Sequence, residues 1–299
     1  LEEDLSRREE NKMEQTYVIE NCKSFNARDI FECGQCFRWN VQEDGSYTGI
    51  FGKNVLNVKQ EPEEKIIITG ICDGDIKEVC RKYFDLDRDY EAIKEKLANI
   101  DEYMKESIKY GEGIRILNQD LWETIISFII SANNNIPRIK GIIERLSQKY
   151  GKEIDWNGEK YYTFPTPEEL KKAEVQDFRE LGTGFRDIRL YETTRTVLEN
   201  KVVLKDLYNV DTLKAREELL TLSGVGPKVA DCILLFSDLK RFDVFPIDVW
   251  VRRVMNELYI KNPDETKVNK KDIARIAKEK FGDLEGLAQQ YLFYWKRDA

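Results

Sequence analysis

The 299-residue sequence contains no histidine. This absence excludes Ser-His-Asp triads, zinc sites with histidine ligands and acid–base catalysis by imidazole. Any catalysis must therefore use Lys, Asp, Glu, Tyr or Cys side chains. The sequence also has no run of about 18 apolar residues, the length that a membrane-spanning helix needs. We therefore expect no membrane partner.

Cysteine is scarce, with six residues in all. Cys33-Gly-Gln-Cys36 has the spacing of a redox CxxC motif, but its context predicts a strand rather than the start of a helix. Free thiols in a reducing cytosol are the better interpretation, and thioredoxin-like chemistry is the alternative. A four-cysteine zinc site would need a second close pair, which the sequence lacks, so we expect no metal site.

The net charge of −8 argues weakly against a nucleic-acid partner, but the charge is unevenly distributed. Acidic residues are concentrated in residues 1–20, whereas residues 131–150 carry a local charge of +3. Local fields decide phosphate contact. Residues 1–12 have no apolar core of a signal peptide and are expected to form a polar tail. With the Lys-, Ile- and Asn-rich composition, this favours a bacterial cytoplasmic location.

The residue pattern predicts an α+β fold. Short strand-like segments separated by turn signals such as Asp44-Gly45 predict an antiparallel meander. After Asp75 the spacing is helical, and Asp120 is expected to cap the most apolar helix. We therefore predict a twisted antiparallel β-sheet domain with helices over 13–111 and a mostly α-helical domain over 112–299. Residues 151–167 are expected to form a loop and Pro167–Leu181 a helix.

The segment from Leu222 to Lys228 predicts a tight turn between two helices, within a helical hairpin at 216–237. Gly224 and Gly226 permit positive φ, and the turn amides suit a phosphate. Lys228 would sit near a helix N-terminus, where the dipole should lower its pKa and allow it to act as a nucleophile. The alternative is a surface lysine. Asp248 is expected to cap the next helix.

Five motifs in order resemble a known family. Leu222-x-Gly-Val-Gly-x-Lys228 followed by Pro246-x-Asp248 resembles the helix-hairpin-helix signature of DNA base-excision glycosylases. The others narrow the resemblance to 8-oxoguanine DNA glycosylases: Gly34-Gln-Cys-Phe-Arg-Trp39, Asn133-Asn-Asn-Ile-x-Arg138, Leu181-Gly-x-Gly-Phe-Arg186 and Ala288-Gln-x-x-Leu-Phe293. No cysteine follows Cys232, which separates the chain from iron–sulfur relatives, and alkylation-repair glycosylases usually lack the lysine.

The resemblance implies a bifunctional glycosylase and abasic-site lyase that flips 8-oxoguanine out of duplex DNA, with cytosine opposite the lesion. It implies that Lys228 is the nucleophile and that Asp248 stabilises positive charge on the sugar. The lesion base would be bound by Gly34, Cys232, Gln289 and Phe293. The remaining implied DNA contacts, including those to the opposite base, are Asn133, Arg138, Phe185, Arg186, Gly224, Gly226 and Val229.

Two positions depart from the family pattern. Phe185 stands where the family often has tyrosine, and Trp250 stands near a histidine that contacts phosphate. The resemblance further implies a monomer without a cofactor, apart from a monovalent cation that backbone carbonyls of the hairpin turn could bind. A glycosylase for another damaged purine and a non-catalytic helix-hairpin-helix DNA-binding protein remain the alternative functions.

Overall fold

An antiparallel sheet forms the N-terminal part of the computed structural model, which describes residues 13–298. The tail predicted for residues 1–12 lies outside this range. The strand order is β1-β5-β4-β3-β2, with every neighbouring pair antiparallel. The strands are β1 (Gln15–Ile19), β2 (Trp39–Val41), β3 (Tyr47–Phe51), β4 (Asn54–Glu61) and β5 (Lys65–Ile71).

Helices make up most of the rest of the chain. They are α1 (Ala27–Glu32), α2 (Ile76–Tyr83), α3 (Tyr90–Ala98), α4 (Glu102–Tyr110), α5 (Leu121–Ser131), α6 (Ile136–Tyr150), α7 (Val175–Glu180), α8 (Asp187–Leu198), α9 (Thr212–Leu219), α10 (Pro227–Phe236), α11 (Val249–Met255), α12 (Lys270–Phe281) and α13 (Glu285–Asp298). The predicted α+β class, a sheet domain followed by a helical domain, is confirmed. No helix within residues 13–298 combines the length and apolar character needed to cross a bilayer.

Helix α5 lies at the centre of the larger hydrophobic core. Ile125, Ile126 and Ile130 are fully buried there. As predicted, Asp120 caps this helix, because its Oδ1 accepts a hydrogen bond from the Glu123 amide at 2.8 Å. The sheet has a second core in which the Trp39 and Phe31 rings stack at 4.0 Å. The buried helix α5 thus fixes the positions of the segments that precede and follow it in the chain.

The predicted strand from Gln35 to Val41 is mostly wrong. Only Trp39–Val41 is a strand, and Cys33, for which the sequence predicted a strand context, is the C-cap of the unpredicted helix α1. Asn26 starts this helix by accepting a hydrogen bond from the Asp29 amide at 3.1 Å. Both Cys33 and Cys36 are buried free thiols. Burial raises the pKa of Cys33 to about 12, which opposes the thiolate that redox chemistry requires.

The predicted loop over 151–167 contains a β-hairpin. Strands β6 (Glu153–Trp156) and β7 (Glu159–Tyr162) pair through Asn157 and Gly158, both of which have positive φ. Asn-Gly is a strong two-residue hairpin signal, so this element could have been predicted. The predicted helix from Pro167 to Leu181 is also too long. It is reduced to α7 (Val175–Glu180), whose capping box begins at Glu174.

Candidate active site

The predicted hairpin turn lies between α9 and α10. Arg216 and Asp231 join the two helices through an ion pair of 2.6 Å. Gly224 has a φ of +83°, and a Cβ there would lie 3.1 Å from Arg189 and Ile129 side-chain atoms. Glycine is therefore needed for both conformation and space. Gly226 caps α10 without a side chain and has nothing within 4 Å of an added Cβ, so the turn is open on that side.

Lys228 lies in the first turn of α10, with Nζ 5.4 Å from the centre of the Phe128 ring. Cys232 lies one turn further along the same helix. Burial acts to lower the pKa of Lys228, but the Cys232 sulfur and the Asp248 carboxylate together raise it by more. The predicted lowering of the pKa is therefore wrong. Specific neighbours outweigh the helix dipole, and the lysine of the free protein is an ammonium.

Asp248 begins α11, as predicted. Its Oδ1 accepts a hydrogen bond from the Val251 amide at 2.8 Å, and its backbone is extended. The same carboxylate interacts electrostatically with Lys228. The cap therefore fixes a carboxylate close to an ammonium group. Trp250 is half-exposed in the first turn of this helix.

The residues implied to bind the lesion base come from distant parts of the chain. Gly34 has a φ of +90°, and a Cβ there would lie 3.7 Å from the Phe293 ring. Gln289 is only 6% exposed, and its Oε1 is buried without a hydrogen-bond partner. Cys232 is also buried. The apolar side chains around Gln289 and Phe293 leave no open volume between α11 and α13, so this pocket is closed.

Gln290 is a supporting residue that the sequence analysis did not identify. Its Nε2 donates a hydrogen bond of 2.6 Å to the Cys33 carbonyl oxygen. Because Gln289 and Gln290 are adjacent on α13, this bond ties the helix that carries Gln289 to the segment that carries Gly34. The sequence analysis also did not identify Phe128 as a neighbour of Lys228, because its place in the most apolar helix indicated only a core residue.

The Asn133 loop is held by an arginine from another segment. Asn133 is exposed with a φ of +52°, and Asn135 caps α6 by accepting from the Arg138 amide at 3.0 Å. Arg186 is 1% exposed and donates to the carbonyl oxygens of Ala132 and Asn133, each at 2.9 Å. The guanidinium of Arg186 is thus buried beneath the Asn133 loop and stabilises it through hydrogen bonds to its backbone.

Phe185 projects from the same region and is 56% exposed. The guanidinium carbons of Arg186 and Arg189 lie 4.3 and 5.2 Å from its ring centre. Exposed Arg138 donates from Nη2 to the Gly182 carbonyl oxygen at 3.1 Å. Burial lowers the pKa of Arg186, and the charges of Arg138 and Arg189 lower it further. This cationic cluster presents an aromatic ring to solvent.

The predicted residues therefore form three groups. Lys228, Cys232 and Asp248 form one cluster, and Gly34, Gln289 and Phe293 form a second, in which Gln289 and Phe293 line a pocket without open volume. The third group is exposed and comprises Asn133, Arg138, Phe185 and, beneath them, Arg186. The side chain of Val229 is buried in the core, which leaves only its backbone for a DNA contact. Within the described chain, no group of three or more Cys, Asp or Glu side chains is placed to hold a metal ion.

Known families match nearly the whole chain. Residues 18–125 match the N-terminal domain of 8-oxoguanine DNA glycosylase, and residues 126–283 match the HhH-GPD superfamily of base excision DNA repair proteins. A probable N-glycosylase/DNA lyase of Methanothermobacter thermautotrophicus is 34% identical over 238 residues, 73% of this chain and 74% of that protein.

Two solved structures have a similar fold. The Clostridium acetobutylicum 8-oxoguanine glycosylase/lyase, in complex with double-stranded DNA containing cytosine opposite 8-oxoguanine, is 43% identical with a TM-score of 0.89 over 96% of this chain and 98% of that chain. The apo form of the same enzyme is 44% identical, with a TM-score of 0.88 over 95% of this chain and 98% of that chain. The chain therefore belongs to the HhH-GPD superfamily of base excision DNA repair proteins, within the 8-oxoguanine DNA glycosylase family.

Proposed function

We propose that this protein is a bifunctional DNA glycosylase and abasic-site lyase that removes 8-oxoguanine from duplex DNA. The observation that carries the proposal is the clustering of Lys228 with the Asp248 carboxylate, which acts on it electrostatically, and with the buried Cys232, near Gly34, Gln289 and Phe293. A nucleophilic amine and a charge-stabilising carboxylate are the groups that this reaction requires.

The pocket accounts for recognition of the lesion. A base in a duplex must be flipped out before its sugar can be attacked. The N7 position of 8-oxoguanine carries a hydrogen that guanine lacks, so the carbonyl of Gly34 would accept from the lesion and repel guanine. The unpartnered Oε1 of Gln289 offers an acceptor to the base edge. Phe293 and Cys232 would bind the two faces of the base, which requires the closed pocket to open.

The chemistry then follows from the amine. Lys228 must first lose the proton that its neighbours help to hold, and Asp248 is placed to influence that step. The neutral Nζ attacks C1′, and the bond from C1′ to the base breaks with its electron pair leaving on the base. Opening of the sugar gives a Schiff base between Nζ and C1′. Removal of the C2′ proton expels the 3′ phosphate by β-elimination, which cuts the strand 3′ to the lesion.

The exposed group would hold the DNA and read the opposite base. Asn133 would fill the space that the flipped nucleotide leaves, Phe185 would act as an apolar wedge, and Arg138 would bind cytosine. Support comes from the exposure and positive charge of this group. Arg186 would contribute by fixing the Asn133 loop, and would reach cytosine only if it released its carbonyl partners.

The hairpin turn would bind the DNA backbone through the amides of Gly224, Gly226, Lys228 and Val229, since Pro227 has no N–H and the Val225 N–H donates to the Leu222 carbonyl oxygen. The carbonyl oxygens of Leu222 and Ser223 accept hydrogen bonds of 3.1 Å from Val225 and 2.8 Å from Thr193. Each keeps a second lone pair, which a monovalent cation could use. We further propose that the protein acts as a monomer in the bacterial cytoplasm on 8-oxoguanine paired with cytosine.

A single-turnover excision assay tests the proposal. Duplexes would carry 8-oxoguanine, guanine or an alkylated purine, each opposite every base in turn. We expect rapid release of 8-oxoguanine opposite cytosine, with strand cleavage, and no release of guanine. Equal or faster release of alkylated purines would favour a glycosylase for another damaged base. Binding without release from any duplex would favour a non-catalytic DNA-binding protein.

A further inference from the structure

Arg189 lies between the aromatic wedge and the hairpin, and none of the roles assigned above includes it. Its aliphatic stem covers Gly224, where an added Cβ would lie 3.1 Å from both Cβ and Cδ of Arg189. Its guanidinium carbon lies 5.2 Å from the centre of the Phe185 ring. One side chain therefore touches both segments that face the DNA in the proposed function.

The charge of Arg189 has no counter-ion in the described chain. The residue is exposed, and no carboxylate lies within ion-pair distance of its guanidinium among the described side chains of residues 13–297. The two nearby acids are engaged elsewhere, since Asp187 pairs with Arg179 at 2.6 Å and Glu192 accepts from the Ser223 hydroxyl at 2.6 Å. Arg138 and Arg186 add further positive charge beside it.

Clustered guanidinium groups without carboxylates repel one another, and an anionic ligand removes that cost. The hairpin beside Arg189 is held in place by the same helix, because Thr193 Oγ1 donates to the Ser223 carbonyl oxygen at 2.8 Å. A guanidinium on this fixed frame is placed next to any phosphate that the turn amides bind.

We propose that Arg189 is a DNA-binding residue that contacts a backbone phosphate between the site of the Phe185 wedge and the hairpin turn. This inference rests on the proposed function only in that DNA is the ligand. The contact carries no base information, because phosphates are the same at every position. Arg189 therefore differs from Arg138, whose expected partner is a base.

The test is the salt dependence of binding to an undamaged duplex, measured with the full chain by fluorescence anisotropy. One phosphate contact contributes about 0.9 to the slope of log K against log salt concentration. Arg189→Met should reduce the slope by about that amount, and Arg189→Lys should restore it. Arg275→Met is the matched control, because Arg275 is equally exposed but pairs with Glu279 on α12; its slope should equal that of the wild type.

Equal slopes for Arg189→Met and the wild type, with binding intact, would overturn the inference. An unchanged slope accompanied by altered preference among duplex sequences would also overturn it, by indicating a base contact. Because undamaged DNA is used, these results do not depend on lesion chemistry. Failure of the proposed function would instead appear as absence of excision by the wild type.

Discussion

The side of the protein that carries Gln289 and Lys228 and the side that carries Phe185 and Arg138 are built in opposite ways. On the closed side, Cys232 and Gln289 are buried and the pocket of Gln289 and Phe293 has no open volume, whereas Lys228 is half-buried and borders an open cavity. On the other side, Phe185 and Arg138 are exposed and only their support, Arg186, is buried. Under the proposed function, the surface that would read the DNA is preformed, whereas the pocket that would take the flipped base must open.

The closed side also places charges where the chemistry would use them. The Asp248 carboxylate acts on the Lys228 ammonium, and a buried acceptor on Gln289 lacks a donor. An unpaired buried polar group costs about 1–3 kcal/mol. The open side has no such unpaired group but concentrates like charges. Each side thus carries an unfavourable feature that its proposed ligand would relieve.

The largest expected effect is on the closed side. Asp248→Asn should lower the single-turnover excision rate by about 10²–10³-fold, because a charge that stabilises the transition state is removed. The melting temperature should hardly change, since asparagine caps helices as well as aspartate does. Asp120→Asn is the matched control, because Asp120 caps α5 with the same 2.8 Å hydrogen bond. A wild-type excision rate for Asp248→Asn would show that Asp248 caps α11 but has no part in catalysis.

A second change separates binding from stability within the pocket. Gln289→Leu removes an unpartnered acceptor at similar volume, so we expect unchanged or increased stability with excision of 8-oxoguanine reduced about 10-fold. Its neighbour provides the contrast. Gln290→Leu should lower stability, because the 2.6 Å bond to the Cys33 carbonyl oxygen is lost. Thermal unfolding measures the stability of the two variants, and single-turnover assays measure their excision rates. Destabilisation by Gln289→Leu without loss of excision would contradict the assigned role.

A smaller effect is expected on the open side. Arg138→Ala should reduce the preference for cytosine over other opposite bases by about 5- to 10-fold, the lower part of the range for one good base contact. Stability should change little, because the side chain is exposed and makes one hydrogen bond, to the Gly182 carbonyl oxygen. The measurement is the ratio of excision rates across the four opposite bases. An unchanged ratio would show that Arg138 does not read this base.

Local sequence signals predicted much of the fold and the positions of the caps. The antiparallel sheet, apart from residues 35–38, the apolar helix α5 and the caps at Asp120 and Asp248 are confirmed. Helix α1 was hidden because its short sequence lies among strand-like residues. The β6–β7 hairpin was missed although Asn157-Gly158 signals it.

Properties that depend on distant contacts could not be predicted. The pKa of Lys228 is raised by Cys232 and Asp248, so an argument from the helix dipole alone gave the wrong direction. The burial of Arg186 depends on carbonyl groups more than fifty residues away in the chain. The unpartnered oxygen of Gln289 depends on α11, α13 and the segment of Phe245, which meet only in the folded chain.

The central claim is that Lys228 forms a covalent bond with the sugar of the lesion nucleotide. Borohydride trapping on a duplex with 8-oxoguanine opposite cytosine tests it most directly. We expect the wild-type protein to give a covalent DNA complex, whose yield rises with pH from 6 to 8 as the raised pKa of Lys228 is approached. Lys228→Gln should give no complex while still binding the duplex. A trapped complex of undiminished yield with Lys228→Gln would contradict the account.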